Sequence, residues 1–330
     1  MQHALVTGGC GFLGSALTRE LVARGVRVRV LALPNEPTDN ISGLDVEVMR
    51  GDVLDVDAAQ RSVAGTDVVF HAAAIYKDWM LNPEPMYEVN LRGTFNMLEA
   101  ARRAGVEKVV YTASIVAIGR PKPGEIGDES TRYDAWDIDF PYGRSKYHSR
   151  VLAEDFANWG LDVRVVMPGL VVGPGDIGPT PSGKLIISAL TRGPRVYVDG
   201  GASFVDVRDA AHVHVLAADK GRRGERYLAT AHNLSNLDFL LGVNEAAGQR
   251  YRYRKVPTPL ARTMITAYEA AARRRGTEPP ITRNFFEYSL VPSYYSNRKA
   301  VEELGATFRP FGETLRDAIA YFKGRGLIPG

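Results

Sequence analysis

Apolar residues fall along the chain into short unbroken runs separated by longer stretches of mixed polarity. The first run, Ala4-Leu5-Val6, breaks into Thr7-Gly8-Gly9-Cys10-Gly11-Phe12-Leu13-Gly14. A strand buried on both faces needs an unbroken apolar run, so this reads as strand, glycine turn and a helix from about 12 to 25. Further strands are predicted at Val26 to Leu31, Val46 to Met49, Asp67 to Phe70, Lys108 to Thr112 and Val163 to Met167. Helices are predicted from about Pro83 to Ala104, where Gly105 stops the pattern, and from Tyr142 to about Gly160. Alternation of this kind predicts an α/β fold with a Rossmann-type doubly wound parallel sheet.

The glycine turn adds chemistry to that frame. Gly8 permits the tight turn, Gly11 lets a pyrophosphate touch the main chain, and Gly14 lets the helix pack closely on the strand. A bound anion then sits at a helix N-terminus, where unpaired N–H groups and the dipole favour it. Gly51-Asp52-Val53-Leu54-Asp55 closes the third strand. Asp52, at a carboxyl end of the sheet, is placed to accept from an adenine amino group, whereas Asp55 suits an N-cap. His71-Ala72-Ala73-Ala74 ends the fourth strand; the small residues admit a cofactor, and His71 reads as structural.

Past Pro168 the alternation becomes irregular. The chain is expected to return to the sheet near Phe204 to Val207, with a helix from Asp209 to Asp219. Residues 1–167 with about 203–231 then form the dinucleotide-binding domain, and about 168–202 with 232–330 a smaller, discontinuous C-terminal substrate lobe. A helix from about Pro259 to Arg275 carries an apolar stripe, Leu260, Met264, Ile265, Tyr268 and Ala271, and ends in arginines. Core packing plus a match to the C-terminal dipole is expected there in preference to membrane contact.

Composition narrows the function classes. With 330 residues, 45% hydrophobic and 24% charged, the chain can bury a large core, which excludes disorder. A net charge of +3 makes no case for nucleic acid. A single cysteine, Cys10, cannot form an internal disulfide and fits a reducing compartment. A strand begins within two residues of Met1, and no apolar run reaches about 18 residues, so a cytoplasmic location with no membrane partner is expected.

Tyr142 and Lys146 stand four apart on a predicted helix and so share a face. A phenol is a poor acid or base at neutral pH, but an adjacent ammonium favours the phenolate. Such a phenol can give a proton to a carbonyl oxygen, or take one from an alcohol in reverse. Ser114, at the exit of the fifth strand, can hold the same oxygen by hydrogen bond. No metal ligand set is expected.

Taken in order, Thr7-Gly8-x-x-Gly11-x-x-Gly14, Gly51-Asp52-x-x-Asp55, Thr112-Ala113-Ser114 and Tyr142-x-x-x-Lys146 resemble an extended short-chain dehydrogenase/reductase of the NAD-dependent epimerase/dehydratase type. Tyr87-x-x-Asn90-x-x-Gly93-Thr94 and Val172-Gly173-Pro174-Gly175-Asp176 are most similar to the dihydroflavonol 4-reductase-like and hopanoid-associated epimerase-like branch. The resemblance implies Ser114, Tyr142 and Lys146 as catalytic residues. It implies Gly8, Gly11, Phe12, Leu13, Gly14, Leu33, Asp52, Val53, Ala72, Ala73, Tyr142, Lys146, Pro168 and Val171 around the cofactor. Asn90 matches an asparagine that braces the active-site side of the sheet, and a homodimer built on the helices at 83–104 and 141–159 is implied. Lys77, Trp79 and Trp136, in loops expected to line the pocket, are the candidate substrate contacts beside Asn90.

Two departures shape the expected activity. Leu33 stands where the reductase branch carries an arginine for the 2′-phosphate of NADP, and no acid stands there for an NAD ribose. The cofactor is therefore NAD or NADP, with the balance toward NAD. Ala202 stands where sugar-nucleotide epimerases place an arginine for the substrate diphosphate, and Arg298 is a possible substitute. Hydride transfer to or from a ketone, aldehyde or secondary alcohol on a small molecule thus ranks above epimerisation or dehydration of a nucleotide sugar. A non-catalytic dinucleotide sensor ranks last, since Tyr142 and Lys146 are both present.

Overall fold

The computed structural model describes residues 1–77, 80, 82–191, 195–277, 279 and 281–329. In chain order the first half contains β1 (His3–Thr7), α1 (Phe12–Ala23), β2 (Arg27–Ala32), β3 (Glu47–Arg50), α2 (Val56–Val63), β4 (Val68–His71), α3 (Glu84–Tyr87), a π turn (Glu88–Gly93), α4 (Thr94–Ala104), β5 (Lys108–Thr112) and α5 (Pro141–Asn158). The second half contains β6 (Val163–Pro168), β7 (Leu170–Val172), α6 (Pro181–Leu190), β8 (Val196–Tyr197), β9 (Gly201–Asp206), α7 (Val207–Lys220), β10 (Arg226–Ala229), β11 (His232–Ser235), α8 (Asn236–Ala246), β12 (Arg254–Lys255), α9 (Thr258–Arg275), α10 (Arg283–Ser289) and α11 (Phe311–Gly324).

Seven strands form a parallel sheet in the order β10-β6-β5-β4-β1-β2-β3. Strand order reverses beside β1, which opens a crevice at the carboxyl ends of β1 and β4. Apolar side chains cover both faces of the sheet. Leu5, Val69, Val109 and Val165 pack with Leu98 and Phe156 of α4 and α5 on one side; Val6, Phe70, Val110 and Val166 pack with Leu17 and Val213 of α1 and α7 on the other. Asp55 caps α2 by accepting from the amides of Asp57 and Ala58, as its position predicts.

Two expectations need correction. Gly201–Asp206 does not rejoin the large sheet; it pairs with β7 and β11 in a separate three-stranded sheet, and β10 fills the edge beside β6 instead. An apolar run predicts a strand but not which partner accepts its hydrogen bonds. Core packing does not account for most of the α9 stripe: Leu260, Met264 and Tyr268 are exposed, Ile265 and Ala271 are half-buried, and only the small Ala261 and Ala272 of that helix are buried. The periodicity is that of an amphipathic helix, and among the described residues its row Leu260, Met264 and Tyr268 is left uncovered.

Candidate active site

The glycine turn leaves space only for backbone. Gly8 has φ +67°, and a Cβ there would stand 2.9 Å from the Ala73 main chain. A Cβ on Gly14 would stand 2.0 Å from the Gly8 oxygen. Gly11 is the N-cap of α1; no side chain caps this end, and the first turn, which begins with Phe12 and Leu13, holds no acid. Donors without a side-chain acceptor at a helix start, fronted by bare backbone, fit a pyrophosphate. The end of β4 is tied to this turn, since the amides of Ala72 and Ala73 donate to the oxygen and hydroxyl of Thr7 at 3.2 and 3.1 Å.

At the other end of the cradle, Leu33 is exposed just past β2. Its amide donates to Glu36 Oε2 at 3.1 Å, and its oxygen accepts from the Glu36 amide at 3.1 Å. Arg50 Nη1 clamps this turn by donating to the oxygens of Leu33 and Glu36 at 2.9 and 2.7 Å. Cys10, inside the glycine turn, is pushed up to about 11 by burial and then by the Glu36 charge, with Arg50 opposing. Both charges therefore act on the cradle. The sequence reading looked for an acid at the strand end; a turn brings one back from three residues later, and the only local hint is Pro34-Asn35-Glu36-Pro37. Asp52 accepts from the Leu54 amide at 2.9 Å, and the oxygen of buried Val53 accepts from Asn96 at 3.0 Å. Arg29 is committed elsewhere, to Glu47 and to the oxygens of Ser62 and Ala64.

Lys146 is buried, and its Nζ donates to the oxygen of Thr112 at 2.8 Å. Burial pulls its ammonium down to about 7. The bond pins α5 to the end of β5, two residues before Ser114. Farther along α5, Arg150 donates to the oxygen of Ala117 at 3.2 Å. Ser114 is extended and caps the short turn Ile115–Ala117, its Oγ accepting from the Val116 amide at 3.4 Å. Tyr142 is buried one turn before Lys146, its ring 4.7 Å from that of Tyr76 and 6.1 Å from that of Phe140. Lys146 thus joins α5 to β5, with Ser114 two residues beyond its acceptor in the chain and Tyr142 one helical turn before it.

A buried hydrogen-bond chain supports the cradle from behind. Asn90, in the π turn, donates to the oxygen of Ile75 and to Ser145 Oγ and accepts from the Ile75 amide. Thr94 spends its hydroxyl proton on the Asn90 oxygen at 2.7 Å, so His71 Nε2 donates to Thr94 and His71 Nδ1 accepts from Thr7. His214 likewise donates from Nδ1 to the oxygen of Ala210 and accepts from the Thr112 hydroxyl. Burial pushes His71 down to about 3 and His214 down to about 4, so both stay neutral. The structural reading of His71 holds.

The packing behind Tyr142 includes residues the sequence reading missed. Phe140 beside Tyr142 meets Phe285 and Tyr288 of α10 at 5.9 and 5.1 Å between ring centres. No local signal links α10 to Tyr142. Trp136 joins a different cluster, edge-on to Tyr133 and Tyr147 at 4.7 and 5.1 Å. Lys77 is exposed beside Tyr76, and Trp79 lies outside the described residues. Pro168 ends β6 and Val171 lies in β7. Ala202 sits in β9, and Arg298 is largely exposed near Glu302.

Known proteins resemble this chain over nearly its whole length. The chain is 35% identical over 327 residues to a Synechocystis protein provisionally named dihydroflavonol 4-reductase, covering 98% of this chain and 95% of the relative. It is 32% identical to sterol demethylase protein B of Methylococcus capsulatus, covering 98% and 99%. Among solved structures, gox2253 matches with a TM-score of 0.89 at 35% identity, covering 99% of this chain and 100% of that one. The profile of the NAD dependent epimerase/dehydratase family matches residues 4–229. With its glycine cradle, seven-stranded sheet and buried lysine in these places, the chain belongs to the NAD dependent epimerase/dehydratase family.

Proposed function

We propose that this chain is an NAD-linked reductase of ketones or aldehydes, or a dehydrogenase of the matching secondary alcohols, with a largely apolar small molecule as substrate. The observation that carries this reading is the buried Lys146, bonded to the Thr112 oxygen one helical turn from Tyr142. A bound nicotinamide dinucleotide supplies or takes up the hydride. Tyr142 then gives a proton to the carbonyl oxygen, and Ser114 donates a hydrogen bond to that oxygen as charge grows on it. Lys146, when protonated, favours the phenolate of Tyr142 and can reach ribose hydroxyls.

The exposed ring of Tyr76, 4.7 Å from that of Tyr142, supports an apolar substrate. So does the name of the Methylococcus relative. Ala202 offers a diphosphate no cation, which weighs against a nucleotide sugar. The Glu36 carboxylate, folded back on the end of β2, supports NAD, whose ribose hydroxyl it would accept. Exposed Phe95 and Trp159, both packed on Phe156, support the α4 and α5 side as the surface for a homodimer.

The test is nicotinamide absorbance across a panel of carbonyls and alcohols. Stoichiometric cofactor turnover that disappears in Tyr142→Phe supports the reading. Conversion of a nucleotide sugar with no net cofactor change overturns it in favour of an epimerase, and binding without turnover overturns it in favour of a sensor.

A further inference from the structure

We infer that α9 is a docking face for an anionic lipid bilayer, on which the protein lies without crossing it. Leu260, Met264 and Tyr268 follow one another at four-residue spacing and are 54%, 49% and 61% exposed. They therefore form one outward row along an 18-residue helix, while the helix holds to the protein through small alanines and α10. Cations flank this row. Residues 250–283 contain nine Lys or Arg against two Asp or Glu, a surplus of seven, although the whole chain carries only +3. The rest of the molecule is thus net acidic, and the cationic surplus lies in the stretch of chain that carries the exposed apolar row. Arg262, Arg273 and Lys255 pair with Glu287, Glu269 and Asp199. Arg250, Arg252, Arg254, Arg274, Arg275 and Arg283 are exposed as well.

An apolar row flanked by cations is what an interfacial helix presents to acyl chains and acidic headgroups together. A second copy of the chain is a poorer occupant, because an isologous contact would bring two arginine-rich faces against each other. Nucleic acid would use the arginines but leave Leu260 and Met264 without a partner. No helix among the described residues is long and apolar enough to cross a membrane, which fits lying on one.

The test is flotation of the full-length protein with vesicles of phosphatidylcholine alone or mixed with phosphatidylglycerol, at low and high salt. Binding to the acidic vesicles at least tenfold above the neutral ones, and reduced by salt, is expected. The triple variant Leu260→Ser, Met264→Ser, Tyr268→Ser and the double variant Arg274→Glu, Arg275→Glu should each lose it at least tenfold. Both should keep the wild-type melting curve, because these side chains are exposed. Equal recovery with both vesicle types, or unchanged binding by the triple variant, overturns the inference. So does a change in oligomeric state in the triple variant without any vesicle binding, which would assign the face to a second copy.

Discussion

Lys146 spends a proton on the main-chain oxygen of Thr112, at 2.8 Å and out of contact with water. The contact fixes α5 against β5, but it holds an ammonium where burial draws its pKa down to about 7. The unfolded lysine titrates near ~10.4. Between those pH values the unfolded chain binds more protons, so stability rises with pH across that window and is lowest, and flat, below about 7. Replacing Lys146 with Met should therefore raise the melting temperature of the cofactor-free protein at pH 7, and this gain should shrink as pH approaches 10. Turnover should be lost at every pH. A constant difference in melting temperature would separate Lys146 from this titration.

Tyr142→Phe removes one oxygen from a ring packed between Tyr76 and Phe140. The packing survives, so cofactor affinity and melting temperature should stay near wild type. Loss of the proton donor should lower kcat by about 10²–10⁴-fold. Steady-state kinetics with a cofactor titration by fluorescence checks both halves.

The parts of this site that were legible in the sequence are local in the chain. Gly8, Gly11 and Gly14 follow directly on an apolar run, and Tyr142 and Lys146 are one helical turn apart, so spacing alone carries their geometry. What was misread depends on partners far away. Gly201–Asp206 reads as a strand whichever sheet takes it, and the α9 stripe reads as amphipathic whether or not anything covers it. Phe285 and Tyr288 reach Phe140 only through tertiary packing. Glu36 escaped notice because a turn, not the strand register, sets where its carboxylate goes.

His71 and His214 each weaken the fold on the acid side. Both are neutral in the fold, with values near 3 and 4, whereas an unfolded histidine titrates near ~6.5. As pH falls below about 6.5 the unfolded chain takes up protons that the folded chain refuses until about 4 at His214 and about 3 at His71. Stability should drop across that range by about 1.4 kcal/mol per pH unit for each histidine. In His214→Gln the urea midpoint should fall less steeply between pH 6 and pH 4 by about one proton's worth. An unchanged slope would show that His214 does not resist protonation.

Gly14→Ala tests the cradle directly. The new methyl would stand 2.0 Å from the Gly8 oxygen, and backbone on both sides leaves no side chain to rotate away. The variant should lose more than about 3 kcal/mol of stability by overpacking. The fraction that folds should bind dinucleotide at least tenfold more weakly, because α1 must move off the turn. Thermal melts with and without added cofactor check this, and a wild-type cofactor-induced shift would show that the turn tolerates the displacement.

The proposed choice of NAD rests on opposed charges at the end of β2. The Glu36 carboxylate is held by the Leu33 amide, and Arg50 is held by the oxygens of the same turn. A carboxylate here accepts from a ribose hydroxyl and repels a 2′-phosphate, while a guanidinium does the reverse. Glu36→Gln keeps an acceptor for the Leu33 amide and removes only the charge. A charge-assisted hydrogen bond contributes about 1.5–3 kcal/mol, so the ratio of kcat/KM for NADH over NADPH should fall by about 10–100-fold. Most of the change should appear as a loss with NADH, with a smaller gain with NADPH, since Arg50 is left without an opposing charge. Adding Arg50→Ala should cancel that gain without restoring NADH, because it removes the cation and not the missing acid. If Arg50→Ala alone instead lowered use of NADPH in a protein that already preferred it, Arg50 and not Glu36 would be the selecting residue, and the assignment of NAD would fall.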